Sequence, residues 1–161
     1  MTEVPEGGFC LSTFLAILER GHSKNVLMGR LNPDAPWDHI GALDEKRLEM
    51  FSKGWMLPSS HLILHESPLD STRRILKEQL EINGVALSEP KVFSDLRERH
   101  LPKGKRAQHW DIGFIFKGEL MQRHLPQPRA WKELRFVDPI QIKTEIVRSH
   151  EDVLEYAGLF S

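Results

Sequence analysis

The chain has 161 residues, 40% of them apolar and 28% charged, with a formal net charge of −1. That length suits one domain with its own core, and the near-zero charge excludes a protein built around nucleic acid or an anionic membrane surface. One cysteine, Cys10, excludes an internal disulfide framework and a cysteine-based zinc site. With no apolar run near the roughly 18–20 residues of a membrane span and no basic opening of a signal peptide, the expectation is a soluble cytoplasmic protein.

In chain order, residues 1–8 read as a flexible leader that ends at Gly7-Gly8. Residues 9–19 (FCLSTFLAILE) read as a buried strand, 21–25 as a turn and 26–30 as a second strand, together a hairpin. Pro, Asn and Asp make 32–37 a loop. Apolar spacing predicts a helix over 43–51, stopped at Gly54. Residues 55–57 and 61–64 read as extended. Ser67-Pro68-Leu69-Asp70 supplies an N-cap, a proline at the first helical position and an acid in the first turn. Leu69, Thr72, Leu76 and Leu80 then share one face, and Asn83-Gly84 reads as the stop, so a helix is predicted over 67–82. Residues 85–99 are ambiguous, with a strand around 91–93; 101–107 is a basic loop. Strands over 109–116 and 133–137 and a helix over 149–160 complete an order of strands, helix, strands, helix, which predicts a mixed sheet. No repeat divides the chain, so 1–161 reads as a single domain.

The segment 55–82 resembles the Nudix hydrolase family, whose helix carries the pattern Gx5Ex7REUxEExGU, U being aliphatic. Ser60 takes the place of the first glycine, Glu66 is the next glutamate, Arg74 the arginine, Leu76 the aliphatic, Glu78 the first of the paired glutamates and Ile82 the last aliphatic. The departures are Ser60, Ile75 for the glutamate after the arginine, Gln79 for the second paired glutamate and Glu81 for the final glycine. The resemblance implies an α/β fold, a Nudix-type α/β/α sandwich around a mixed sheet. Residues 109–114 and 134–137 also resemble strands of the GDP-mannose mannosyl hydrolase branch, which works with fewer box acids. However, that branch has a metal-binding Gln and a basic His where this chain has Ala130 and Trp131; Gln127 and His124 lie a few residues earlier.

What the resemblance implies about chemistry follows from charge. Hydrolysis of a pyrophosphate needs cations on its oxygens and an oriented water, and Mg²⁺ is usually held by one or two carboxylates plus phosphate and water. The implied site has Glu78 and Gln79 as catalytic residues. Glu78 and the backbone carbonyls of Ser59 and Ser60 would be ligands to Mg²⁺ or Mn²⁺, and Glu66 with Arg74 would brace the loop. The expected activity is hydrolysis of a nucleoside-diphosphate-linked small molecule, a nucleotide sugar among the candidates, with Glu119, Glu133 or Asp111 as a second acid. The alternative is a fold without catalysis that serves as a nucleotide-binding or protein-interaction module, since Ile75 puts hydrocarbon where water and metal belong. No nucleic acid or membrane partner is expected, and a homodimer is left open.

Each of these residues also has a plainer reading. Glu78 can be an exposed helix former paired with Arg74, worth about 0.2–0.5 kcal/mol. The spacing of His61, His65, His109 and His124 matches no zinc pattern, and Lys103, Lys105 and Arg106 suit a solvated loop as well as a phosphate clamp. Trp37, Trp110 and Trp131 read as core before they read as stacking platforms, and Cys10 as an inert buried thiol.

Overall fold

The computed structural model describes residues 4–120 and 124–160. Of the expected leader, residues 1–3 lie outside the described residues, while its last residues are tied down: the Gly7 N–H donates to Gln108 O at 2.9 Å and the Gly8 N–H to Pro5 O at 2.8 Å.

Seven strands form one mixed sheet. Strand β1 (Phe9–Glu19) folds back on β2 (His22–Leu31) as an antiparallel hairpin, and runs parallel to the long β6 (Arg106–Leu120). Glu19 pairs with His22 across Arg20-Gly21, with Gly21 at φ +79°. The turn is thus two residues long rather than the expected 21–25, because a glycine takes up the left-handed backbone that a tight hairpin needs. Strand β3 (Ser59–His61) borders the first half of β1, and β7 (Trp131–Val137) borders β2. The ambiguous stretch after residue 85 resolves into β4 (Ala86–Leu87) and β5 (Lys91–His100), both antiparallel to β6. Strand β5 hid from hydropathy because it lies at the sheet's edge and alternates largely between charged side chains.

Alternation along the strands sends side chains to two layers. Leu15 and Ile17 of β1, with Phe116 and Leu120 of β6, meet one helical layer: α1 (Trp37–Ile40), α2 (Glu45–Phe51) and α3 (Pro68–Arg74). Phe14, Ala16 and Ile115 meet the other, which is α4 (His150–Tyr156). The expected α/β/α sandwich with a mixed sheet is the architecture found. No helix among the described residues is long and apolar enough to cross a membrane.

The α4 layer closes over a histidine. His150 is buried, accepts the Leu57 N–H on Nδ1 at 3.0 Å, and lies edge-on to Phe14 and Phe51, each 5.4 Å away. Burial pushes its pKa down to about 3. His61, beside Ser12 Oγ at 3.0 Å, is held down to about 4, first by burial and then by the charge of Arg47. An unfolded histidine titrates near 6.5, so below that pH the unfolded chain gains protons that the folded chain refuses. The stability these rings supply is complete above about pH 6.5 and is lost as pH falls towards 4, by up to about 1.4 kcal/mol per pH unit for each ring. Urea midpoints should therefore fall steadily from about pH 7 to pH 4.5, less steeply in His150→Gln. A midpoint that stayed level over that range would contradict neutral, buried rings.

Candidate functional site

Helix α3 starts as the sequence predicts: the Ser67 hydroxyl accepts the Asp70 N–H at 3.1 Å and Pro68 opens the first turn. It does not continue as an α-helix to residue 82. From Ile75 to Gln79 the backbone widens into a π-helical turn, closed by Leu80 N–H to Ile75 O at 3.2 Å. Such turns shift every following side chain around the helix axis and are common at functional sites. The helix ends before Asn83-Gly84, because Glu81 adopts φ +54°. That is where the resembled pattern has glycine, and a side chain in this left-handed region costs about 1–2 kcal/mol. Set against the added chain entropy of glycine, Glu81→Gly should raise stability by about 0.5–1 kcal/mol. Thermal melts would read this, and a loss of stability would mean that Glu81 earns its place by a contact.

Arg74 and Glu66 meet in the folded chain. Arg74 donates from Nε and Nη2 to the two Glu66 oxygens at 2.7 and 2.8 Å, and both side chains are only 12% exposed. Its remaining donors reach the Ile40 and His61 carbonyls, each at 3.2 Å. Glu66 also accepts the Ile63 N–H at 3.0 Å, and the Arg74 hydrogen bond leads the causes that hold its pKa below the usual glutamate value. One guanidinium therefore fixes α1, β3 and the loop before α3.

Gln79 is the residue that decides what the site can do. The π-helical turn carries it fully into the core, where Nε2 donates to Ser59 O at 2.7 Å and to Ile40 O at 3.0 Å. Two carbonyls can only accept, so the amide nitrogen must face them; Oε1 is buried without a partner among the described residues. The Trp131 indole donates to Gln79 O at 2.8 Å. That ring lies on β2 where Gly29 leaves room, since a Cβ there would meet it at 2.4 Å.

The two serines follow from strand register. Leu15 N–H bonds Pro58 O, and Leu62 N–H bonds Leu11 O. Thr13–Ser60 between them is therefore a hydrogen-bonded pair, and the Ser59 carbonyl turns away from β1 towards Gln79. Neither serine has positive φ, so the position needs no glycine here.

A divalent cation of the kind the resemblance implies does not fit this spot. Mg²⁺ would require the Ser59 oxygen at about 2.1 Å, in space that the Gln79 amide nitrogen fills, and Ser60 O belongs to the sheet. The expectation that the Ser59 and Ser60 carbonyls are metal ligands is corrected accordingly. Ile75 is fully buried, which leaves hydrocarbon where the pattern has an acid. Glu78, the next residue round, is exposed, and its carboxylate has no hydrogen-bond or ion-pair partner among the described residues. It does not pair with Arg74, whose donors are already engaged.

None of the expected second acids faces Gln79. Phe114, Phe116 and Leu120 of β6 face the α3 layer, so Asp111 and Glu119 project from the opposite face. Leu134 and Phe136 of β7 place Glu133 on that opposite face too. Glu119 lies 3.9 Å from Arg20, and Glu133 2.7 Å from Arg135. Lys103, Lys105 and Arg106 are exposed at the β5–β6 turn, with Arg106 3.0 Å from Glu98. Trp37 and Trp131 are core, stacked edge-on at 5.2 Å, while Trp110 is half-buried and donates to Ser94 Oγ. His65, His124 and Gln127 are exposed. Cys10 is half-buried rather than buried, and donates to Asp111 Oδ1 at 2.7 Å. Sequence reasoning missed this contact because it spans 101 residues and depends on the β1–β6 pairing.

No family model matches the chain, and no curated protein sequence does. Solved structures do. The NUDIX domain of Shewanella oneidensis NrtR, in a complex with ADP ribose, superposes with a TM-score of 0.61 at 13% identity, covering 94% of this chain and 87% of that one. The E. coli dihydroneopterin triphosphate pyrophosphohydrolase gives a TM-score of 0.61 at 13% identity over 96% of both chains. A bifunctional NMN adenylyltransferase/ADP ribose pyrophosphatase of Francisella tularensis, complexed with AMP and Mn, gives 0.60 at 15% identity over 94% of this chain and 42% of that one. At such identities the likeness is one of fold.

Proposed function

From the Nudix fold of this chain we infer that it binds a nucleoside-diphosphate-linked small molecule beside α3, without the metal cluster that the pattern's acids would hold. The observation that carries this reading is the Gln79 amide, buried and donating to the Ser59 carbonyl that a catalytic cation would need to approach, and to that of Ile40. An amide group here does structurally what a cation would do, joining α1 to β3, and it cannot activate water.

Two features support the ligand class. A shallow, open depression flanks the helix. Leu69, Leu76, Val85 and Leu87 give it apolar walls, and Arg73 and Lys77 add cations suited to phosphate. The NrtR domain of the same fold was solved with ADP ribose, which makes that molecule the first probe.

A second reading keeps hydrolysis, with one Mg²⁺ or Mn²⁺ at Glu78 and a nucleotide sugar among the substrates. It is favoured by the one carboxylate of the helix that stands exposed and unpaired. Calorimetry with ADP-ribose, GDP-mannose and a dinucleoside polyphosphate, with and without Mg²⁺ or Mn²⁺, separates the two when products are assayed in the same samples. Binding without divalent cation and without turnover is the expected result. Metal-dependent turnover that disappears in Glu78→Gln would overturn it and establish the second reading. Neither binding nor turnover would leave the fold as a protein-interaction module.

A further inference from the structure

On the sheet face opposite α3, the parallel pairing of β1 with β6 sets Cys10 beside Asp111, and His109 lies two residues earlier on the same face of β6. Three ligand-type atoms converge there: Cys10 Sγ and Asp111 Oδ1 are 2.7 Å apart, His109 Nε2 and Sγ 3.3 Å, and Nε2 and Oδ1 3.4 Å. His109 Nδ1 lies 2.7 Å from Gly7 O; a carbonyl only accepts, so Nδ1 carries the hydrogen and Nε2 is the ring atom turned towards the thiol and the carboxylate. The thiol hydrogen goes to Asp111.

We propose that Cys10, His109 and Asp111, a mixed set with a single cysteine rather than the site built on cysteines that the sequence excludes, form a tetrahedral Zn²⁺ site whose fourth position is open to solvent. Zinc bonds of 2.0–2.3 Å separate neighbouring ligand atoms by about 3.3–3.6 Å. Two of the three separations already have that length, and only Sγ and Oδ1 must part, by less than about 1 Å. One sulfur, one nitrogen and one oxygen form a borderline donor set that suits Zn²⁺ better than Mg²⁺ or Ca²⁺.

The surroundings orient each ligand. The Gly7 carbonyl fixes the His109 tautomer in the manner usual for metal-bound histidines. Gly7 itself is required there, because a Cβ would sit 2.5 Å from Gln108 O. Arg97 Nε stands 3.6 Å from Asp111 Oδ2, which leaves Oδ1 for the site. The Asp111 side chain is 27% exposed, so an ion has a way in. Binding forms the S–Zn bond as the S–H bond breaks, with one proton released to solvent, so affinity rises with pH.

The test is Co²⁺ titration of the full chain followed by Zn²⁺ displacement. One equivalent of Co²⁺ should bring up the near-ultraviolet thiolate-to-cobalt band and the visible bands of a tetrahedral ion, and Zn²⁺ should abolish both and raise the melting temperature. Cys10→Ser should lose the thiolate band. His109→Gln and Asp111→Asn should each weaken Co²⁺ binding by more than about tenfold, while Glu119→Gln, an exposed acid further along β6, should not. Far-ultraviolet circular dichroism checks that each variant folds, and the wild-type result stands without them. Absence of the band in the wild type, with no thermal shift from Zn²⁺, would overturn the proposal. A band of unchanged affinity in His109→Gln and Asp111→Asn would overturn it as well, because the thiol would then bind alone.

Discussion

Gln79→Glu should cost about 3–5 kcal/mol at neutral pH, the cost of leaving a buried charge without a partner. The substitution changes one donor into an acceptor and aims a carboxylate at the oxygens of Ser59 and Ile40, where the amide now donates. For a chain of this size the melting temperature should drop by about 6–20 °C. The sign of the pH effect separates this from a packing defect. Burial raises the folded-state pKa of the new glutamate above its unfolded value, so the penalty is full at neutral pH and shrinks as pH falls and the group protonates. Gln79→Met, of similar volume, should lose less and without that pH trend, since it only leaves two carbonyls unpaired. Saturating Mn²⁺ should return part of the loss in the glutamate variant by binding only the folded state, and none in the methionine variant. A glutamate variant as stable as the wild type in the absence of metal would refute the view that the amide holds α1 to β3.

Arg74→Ala should cost about 3 kcal/mol, because it strands Glu66 and frees two carbonyls in one step. Arg74→Lys should recover little of this: an ammonium cannot bond both carboxylate oxygens and two carbonyls in one plane. Glu66 titrates below its ordinary value in the folded state, so its contribution is complete above about pH 4.3 and is lost as pH falls below that. In Arg74→Ala this acid limb should flatten while the histidine limb at higher pH persists. Equilibrium unfolding across both limbs checks the assignment; an unchanged acid limb would place the effect elsewhere.

The contact of Glu66 with Arg74 was legible in the sequence because the two are close in the chain and their spacing belongs to a recognisable pattern. The α/β/α order was legible for the same reason, since hydrophobic periodicity reports local structure directly. What could not be read was everything that depends on an angle or on a distant partner. The π-helical turn leaves no periodic signature over five residues, yet it decides that Gln79 points inward and Glu78 outward. The strand faces of Asp111, Glu119 and Glu133 depend on β6 and β7, whose register is fixed by pairings across the whole chain. Cys10 looked inert in an apolar strand because its neighbour in space is 101 residues away in sequence.

Strand β5 has a consequence for how copies of this chain meet. Among the described residues its 10 residues pair with β6 on one side only, so the other side offers backbone to any extended segment that approaches. Val92 and Leu96 are exposed along it, an invitation to stacking, but Lys91, Arg97, Glu98 and Arg99 alternate with them. Lys91 and Arg99 are exposed on it, and charges on an edge resist pairing with another edge. Such charges act over about 10 Å at 0.1 M salt but only about 3 Å at 1 M, so concentrated salt leaves this edge readier to pair.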